Sequence, residues 1–266
     1  MKPSSVLATL NRLPLWRRRI AVWDFRLRAP TLDRALYLWL HRIGRMGRAD
    51  RAYLAGAVRP GMHVADVGAN IGLYTLHLAR LVGPAGRVYA FEPDPLMLGA
   101  LRENLAANGA AQAEVFPCAA GGGSGQALLQ RNALNSGDNR LGADTGTGWH
   151  ADRDTVPVRA LDEALRGRRV DFIKMDVQGW EGEALRGVGG LLEANPGLQV
   201  FFEFWPHGLE RAGTTVAALD ELLRALRLRP TRPGHAEPCR LAALAAELPA
   251  GGYTNVVASR EVGQAR

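Results

Sequence analysis

The chain has 266 residues, 47% hydrophobic and 22% charged, an ordinary globular composition with enough length to bury a full core as one α/β unit. Its two cysteines, Cys118 and Cys239, form no CxxC or Cys/His cluster, which argues against a disulfide framework and a structural zinc site. No apolar run approaches the ~18 residues that cross a bilayer, and the net charge of +7 favours acidic partners or anionic surfaces without identifying one.

Residues 1–58 read as a helical arm or cap, with helices over Thr31–Leu40 and Asp50–Val58 that open on residues suited to an N-cap. Arg12, Arg17, Arg18, Arg19, Arg26 and Arg28 crowd the start of this arm beside Trp16 and Trp23. Such a segment covers its own domain, makes peripheral contact with an anionic membrane surface, or touches nucleic acid. Pro14 and Pro30 prevent one long amphipathic helix. The N-terminus carries no uninterrupted apolar h-region, so a cytoplasmic protein is expected. Abundant Arg, Ala and Gly with little Lys is the codon signature of a GC-rich bacterial genome.

From Arg59 to the C-terminus short apolar runs alternate with amphipathic stretches, the pattern of a mostly parallel sheet flanked by helices. Strands are expected over His63–Val67, Arg87–Phe91, Ala113–Phe116, Phe172–Asp176, Val200–Phe204 and Thr254–Ser259. Helices are expected over Leu73–Leu81, Pro95–Ala107, Glu181–Glu193 and Thr215–Leu228. Residues Gly121–Asp154 are rich in Gly, Asn, Asp and Thr and read as a long functional loop with one short strand, Ala127–Gln130.

The stretch HVADVGANIGLYT, residues 63–75, reads as a buried strand, a glycine turn and the first turn of a helix. Glycine at Gly68 and Gly72 lets backbone approach a ligand closely, and the free N–H groups of the helix start offer a polar binding place. Asp66, two residues before the first glycine, repels a pyrophosphate and suits a cation. A nucleoside carrying an amino group and a sulfonium, S-adenosylmethionine, fits that charge better than a dinucleotide. Ala69, Asn70, Tyr74 and Thr75 belong to the same candidate donor site. Glu92 follows about 20 residues past the glycine turn, where a strand-end acid can accept both ribose hydroxyls. Pro93 follows it, and Asp94 is suited to cap the helix opening at Pro95. After the third strand the small residues around Ala119 are expected along the adenine edge, and Cys118 reads as a small apolar filler.

In DFIKMDVQGWEGEAL, alternation puts Lys174 and Asp176 on one face of a strand and Met175 on the other. Asp176 then falls at the carboxyl end of a central strand, where open α/β sheets bind ligands. A Lys and an Asp are costly to bury unpaired. They read as a polar site beside the methyl donor, as a Lys174–Asp176 or Lys174–Glu181 pair that shapes the turn, or as both. Glu203 repeats the device in VFFEFWP. Asp176 and Glu203 can hold a substrate hydroxyl, act as base, or coordinate a divalent cation through oxygen. No metal site is expected, since no histidine shows HxH or HxxxH spacing, and His207 reads as surface.

Taken together, VADVGANIGLYT (64–75), YAFEPDP (89–95), VRALDEAL (158–165), DFIKMDVQGWEGEALRG (171–187) and VFFEFWP (200–206) resemble the FkbM family of S-adenosylmethionine-dependent methyltransferases. The resemblance implies a class I methyltransferase fold, Rossmann-like, with a mostly parallel seven-stranded sheet and one antiparallel strand near the C-terminus. It implies that Asp66, Gly68, Asn70 and Gly72 surround the methionine part of the donor and that Glu92 takes the ribose. It also implies O-methylation of a sugar, glycan or polyketide-type hydroxyl, with a small-molecule or glycan acceptor as partner. Asp176 or Glu203 is the candidate for proton removal, and Lys174 for holding the local geometry. Trp180 departs from the small residue, His or Tyr more usual after that glycine, which bears on the shape of the pocket. An NAD-dependent oxidoreductase, a nucleic-acid methyltransferase and a non-catalytic nucleotide-binding partner are the rival readings. Nucleic acid is disfavoured because neither an NPPY-type tetrapeptide nor a Cys-nucleophile motif is present.

Overall fold

A computed structural model describes residues 18–44, 46–132, 135–142 and 150–260. A hairpin of β1 (Ile20–Val22) and β2 (Phe25–Leu27) leads into helices Leu32–Arg42 and Arg48–Ala57. Then come β3 (His63–Val67), β4 (Arg87–Phe91) and β5 (Ala113–Phe116), separated by helices Leu73–Val82 and Pro95–Ala107. The middle of the chain holds β6 (Ala119–Ala120), β7 (Gly125–Asn132), β8 (Arg140–Leu141) and β9 (His150–Arg159). The last third supplies β10 (Phe172–Met175), β11 (Gln199–Phe204), β12 (Arg229–Thr231) and β13 (Thr254–Ser259).

Seven strands form one sheet in the order β12-β13-β11-β10-β3-β4-β5. The pairs β11–β10, β10–β3, β3–β4 and β4–β5 are parallel, while β13 runs antiparallel to both neighbours. This is the class I methyltransferase arrangement. Strand order reverses between β3 and β10, and ligands of open α/β sheets bind at the carboxyl ends beside such a reversal.

Alternation along the strands decides which side chains face that place. Ala65, Met175, Phe202 and Phe204 pack into a core on one face of the sheet. Val64, Phe172, Phe201 and Val257 pack into the core on the other. Continuing the period of two, Asp66, Lys174, Glu203 and Asn255 belong to the second face, at or near the ends of their strands. Val22, Phe25, Leu27, Leu38 and Leu54 join the core of that same face, so the N-terminal elements cover the polar strand ends. Two asparagines fasten them. Asn104 Oδ1 accepts from the Arg28 amide at 2.7 Å and its Nδ2 donates to Ile71 O at 2.9 Å, while Asn108 pairs with both backbone groups of Arg26.

Several expectations are revised by the fold. Gly121–Asp154 holds more strand than expected: Ala127–Gln130 lies within β7, and β6, β9, β7 and β8 form a four-stranded sheet, in which β7 and β9 pair antiparallel. Helix Glu181–Glu193 is two helices, Glu181–Leu185 and Gly189–Ala194. Gly187 between them lies against the main chain of Gly121, where a Cβ would sit 2.2 Å from the carbonyl oxygen. Asp50 is not an N-cap; Gly47 is, and Asp50 sits in the first turn of Arg48–Ala57. The hairpin β1–β2, the short strand β12 and the helices Pro206–Arg211 and Leu241–Glu247 were not expected. Arg12, Pro14, Trp16 and Arg17 lie outside the described residues. Arg28 forms an ion pair with Glu103 of helix Pro95–Ala107. Among the described residues no helix is long and apolar enough to cross a membrane.

Candidate active site

A cavity of about 500 Å³ lies at the carboxyl ends of β3, β4, β10 and β11. One wall is the turn after β3. Gly68 has φ +83°, and a Cβ there would sit 1.9 Å from the Asp176 carbonyl oxygen, so only glycine lets the β3 and β10 ends meet this closely. The Gly68 and Ala69 amides donate to Phe91 O at 3.0 and 2.9 Å, which ties the turn to β4. Asn70 also has positive φ, 52°. Its amide donates to Glu92 Oε2 at 2.7 Å, and the Asp94 amide donates to Glu92 Oε1 at 2.8 Å. Burial nevertheless dominates at Glu92 and pushes its carboxyl up to about 7.

The opposite wall carries the acids of β10 and β11. Lys174 is buried with its Nζ 3.3 Å from Asp66 Oδ1 and 3.8 Å from Asp176 Oδ2. Burial works against the lysine charge, but Asp66 and Asp176 outweigh it and hold the ammonium above its ordinary value. Asp66 also accepts from Thr75 Oγ1 at 2.6 Å. Gln178, at φ 55°, turns its Nε2 between Asp176 Oδ1 (2.8 Å) and Glu203 Oε2 (3.2 Å). Burial, and then the charges of Asp176 and Glu181, push Glu203 well above the carboxylate range. The cap closes the cavity with Arg34, Tyr37, His41 and Asp50, and Asp50 accepts from Tyr74 Oη at 3.2 Å and Asn255 Nδ2 at 2.7 Å. Burial beside Arg34 and Arg51 lowers His41 to about 4, so its ring is neutral at physiological pH. Among the described residues no group of three or more His, Cys, Asp or Glu is placed to hold a metal ion.

Residues 66–229, more than half of the chain, match the family model of the methyltransferase FkbM domain. The chain belongs to the FkbM methyltransferase family. The chain is 25% identical over 176 residues to methyltransferase sdnD of Sordaria araneosa, a match covering 52% of this chain and 65% of the relative. It is 53% identical over 57 residues to 31-O-demethyl-FK506 methyltransferase FkbM of Streptomyces tacrolimicus, covering 21% of this chain and 22% of that protein. The matched stretches thus span less than two thirds of these relatives' own length. Among solved structures, a SAM-dependent methyltransferase from Aquifex aeolicus is 18% identical with a TM-score of 0.46, covering 83% of this chain and 96% of that one. The fold assignment stands on the strand order and the family match.

Of the residues that the FkbM resemblance and the turn pattern offered for the donor, Gly68, Ala69, Asn70, Tyr74, Glu92 and Pro93 line the cavity. Asp66, Gly72, Thr75 and Ala119 do not. Asp66 is fully buried beneath the turn, where Lys174 and Thr75 engage both carboxylate oxygens. Gly72 packs against helix Pro95–Ala107, so that a Cβ would lie 2.7 Å from Leu101 Cδ1. Thr75 is buried with Asp66, and Ala119 pairs with Val158 in the small sheet. Lys174, Asp176 and Glu203 all line the cavity. The Lys174–Glu181 alternative fails: Glu181 is buried and accepts from the Val177 amide at 3.0 Å instead. Trp180 leaves the pocket alone. Its Nε1 donates to Ala120 O at 2.9 Å, and its ring packs with Leu129 and Leu141 under the small sheet.

Sequence reasoning missed Gln178 and the four cap residues of this FkbM-family site. For Gln178 the signal was the Gln–Gly pair in the turn before Glu181. For the cap it was the row Arg34, Tyr37, Leu38, His41, whose i, i+3, i+4, i+7 spacing places polar groups on the inward face of a helix. That helix leaves Leu36, Trp39 and Leu40 exposed.

Proposed function

We propose that this protein is an S-adenosylmethionine-dependent methyltransferase that methylates a hydroxyl of a sugar, glycan or polyketide-type acceptor. The observation that carries the reading is the juxtaposition across the strand-order reversal. Glu92, bonded to the Gly68–Asn70 turn, stands on one side of the cavity, and Asp176 and Glu203 stand on the other. The residues fit a zwitterionic nucleoside. Glu92 is a buried acceptor ready for paired hydroxyls, and Arg34 offers buried donors without partners.

In this reading Gly68, Ala69, Asn70 and Tyr74 hold the donor's amino-acid arm, and Glu92 and Pro93 its ribose. When bound, the donor supplies a sulfonium methyl already activated for transfer, so positioning can account for up to ~7–11 kcal/mol of the barrier. The chain's own work is to orient the acceptor hydroxyl and remove its proton, worth roughly a hundredfold to ten-thousandfold. Glu203 keeps its proton at neutral pH because burial and two neighbouring acids disfavour its charge. It serves as a hydrogen-bond donor, which leaves Asp176 as the base. Lys174 is a positioning residue that links Asp66 below the turn to Asp176 in the cavity. The helices Leu32–Arg42 and Arg48–Ala57 serve as the cap over the acceptor, and the protein works in the cytoplasm.

Calorimetric titration with S-adenosylhomocysteine, followed by radiolabelled methyl transfer to panels of glycans and polyketides, tests the reading. Donor binding and transfer to a hydroxyl are expected. A protein that binds NAD and not S-adenosylhomocysteine would overturn it.

A further inference from the structure

Arg34 is 3% exposed, stands in the first turns of helix Leu32–Arg42, and lines the cavity. Its guanidinium stacks 4.7 Å over the Tyr37 ring. The Ser136–Asp138 turn closes over it, since a methyl built on Gly137 would lie 3.6 Å from both Nη atoms. Neither Nε nor Nη2 has a hydrogen-bond partner. Those two atoms make up the side-on edge of the guanidinium, the pair of parallel N–H donors that matches the two oxygens of a carboxylate. A buried cation with this edge open is an anion site waiting for its anion.

The position of Arg34 indicates whose carboxylate that is. It lines the same cavity as Glu92 and Asp176, which stand on its two sides. A nucleoside whose ribose sits on Glu92 and whose reacting end faces Asp176 must pass its amino-acid arm beneath the cap helix. Resting on the donor reading above, we infer that Arg34 grips the α-carboxylate of the donor through its Nε/Nη2 edge, so that the cap is itself part of the donor site. Arg34 lies outside residues 66–229, and so outside the stretch that carries the family match. The cap thus contributes a donor contact from above, while the glycine turn and Glu92 hold the amino-acid arm and ribose from below.

The test is a binding cycle between the residue and the carboxylate. Titration calorimetry measures S-adenosylhomocysteine and its decarboxylated analogue, S-adenosyl-3-thiopropylamine, against the wild type and Arg34→Met. In the wild type, loss of the carboxylate is expected to weaken binding by about 20-fold or more. In Arg34→Met the two ligands should bind within about threefold of each other, both near the weaker wild-type value. Equal discrimination by the two proteins would overturn the inference while leaving the donor reading standing. Failure of the wild type to bind either ligand would overturn both. Arg34→Lys keeps the charge and loses the fork; it should recover only part of the discrimination, and it replaces the methionine variant if that one does not fold. Full discrimination by Arg34→Lys would refute the bidentate geometry. Melting curves without ligand give a readout that a structural prop would move and a ligand clamp would not. Arg34→Met should melt no lower than the wild type, and a lower melt without a change in discrimination would count against the inference.

Discussion

Lys174→Met separates a positioning lysine from a catalytic one. The Lys174 and Asp66 side chains are 5% and 0% exposed, and they face each other at 3.3 Å from adjacent parallel strands. Removing one partner of such a pair strands the other charge in the interior, which costs about 3–5 kcal/mol. Asp66→Asn alone costs less, about 1–3 kcal/mol, because Lys174 keeps Asp176 at 3.8 Å. The double variant Asp66→Asn/Lys174→Met removes both charges and should recover at least about 2 kcal/mol relative to the sum of the singles. Urea unfolding followed by circular dichroism reads this directly. With a slope near 3 kcal/mol per molar for a chain of this size, the methionine variant's midpoint should fall by roughly 1–2 M. Donor affinity, which depends on the turn above Asp66, should fall with stability and return in the double variant. The reasoning is refuted if Lys174→Met unfolds within about 1 kcal/mol of wild type, or if the singles add. A stable Lys174→Met protein that binds donor normally and turns over poorly would make Lys174 a catalytic group.

Gly68→Ala should destabilise the fold by about 2–5 kcal/mol, the cost of positive φ together with a methyl placed 1.9 Å from Asp176 O; thermal melting checks it. Glu92, held at about 7 by burial, binds hydroxyl donors best when ionised, so S-adenosylhomocysteine affinity should rise with pH and level off above about 7, with a proton released on binding below that. In the ligand-free protein the sign is opposite: a raised carboxyl lends stability at low pH that is lost as pH climbs through about 7, and Glu92→Gln should flatten both profiles. Asp176→Asn should cut kcat by about a hundredfold to ten-thousandfold, whereas Glu203→Gln, which replaces a carboxyl already protonated, should cost under about tenfold. Equal losses in the two would reject the division of roles.

The central strands were legible because each is an apolar run buried on both faces, and Asp94 with Pro95 announces the next helix as N-cap and first position. Of the small sheet only Ala127–Gln130, within β7, was legible. β7 pairs Gly125 with Val158 far along the chain, and its Gly, Asn and Thr neighbours read locally as loop. β12 is Arg-Pro-Thr, and a proline lowers any strand expectation. The strand-end acids were found from their isolation among apolar residues, which is a local signal. The Lys174–Asp176 pair, one of the two pairings read from the sequence, is present at 3.8 Å; the contact of Lys174 with Asp66 was not found, because it forms only once strands from distant segments lie side by side. Alternation did show that Lys174 and Asp176 share a face; it could not rank Asp66, Asp176 and Glu181 as the lysine's partner.

The cavity's two halves rest on different kinds of structure. The turn from Gly68 to Asn70 is held by main-chain bonds to Phe91 and by contact with the Asp176 carbonyl, so almost any change there disturbs the sheet. The far rim draws on Tyr37, Asn139, Arg140, Trp205 and Tyr253, side chains from four segments that meet outside the sheet. Mutation can therefore reshape the rim one segment at a time without touching the turn. A scaffold divided in this way can diversify what it modifies while the group it transfers stays the same.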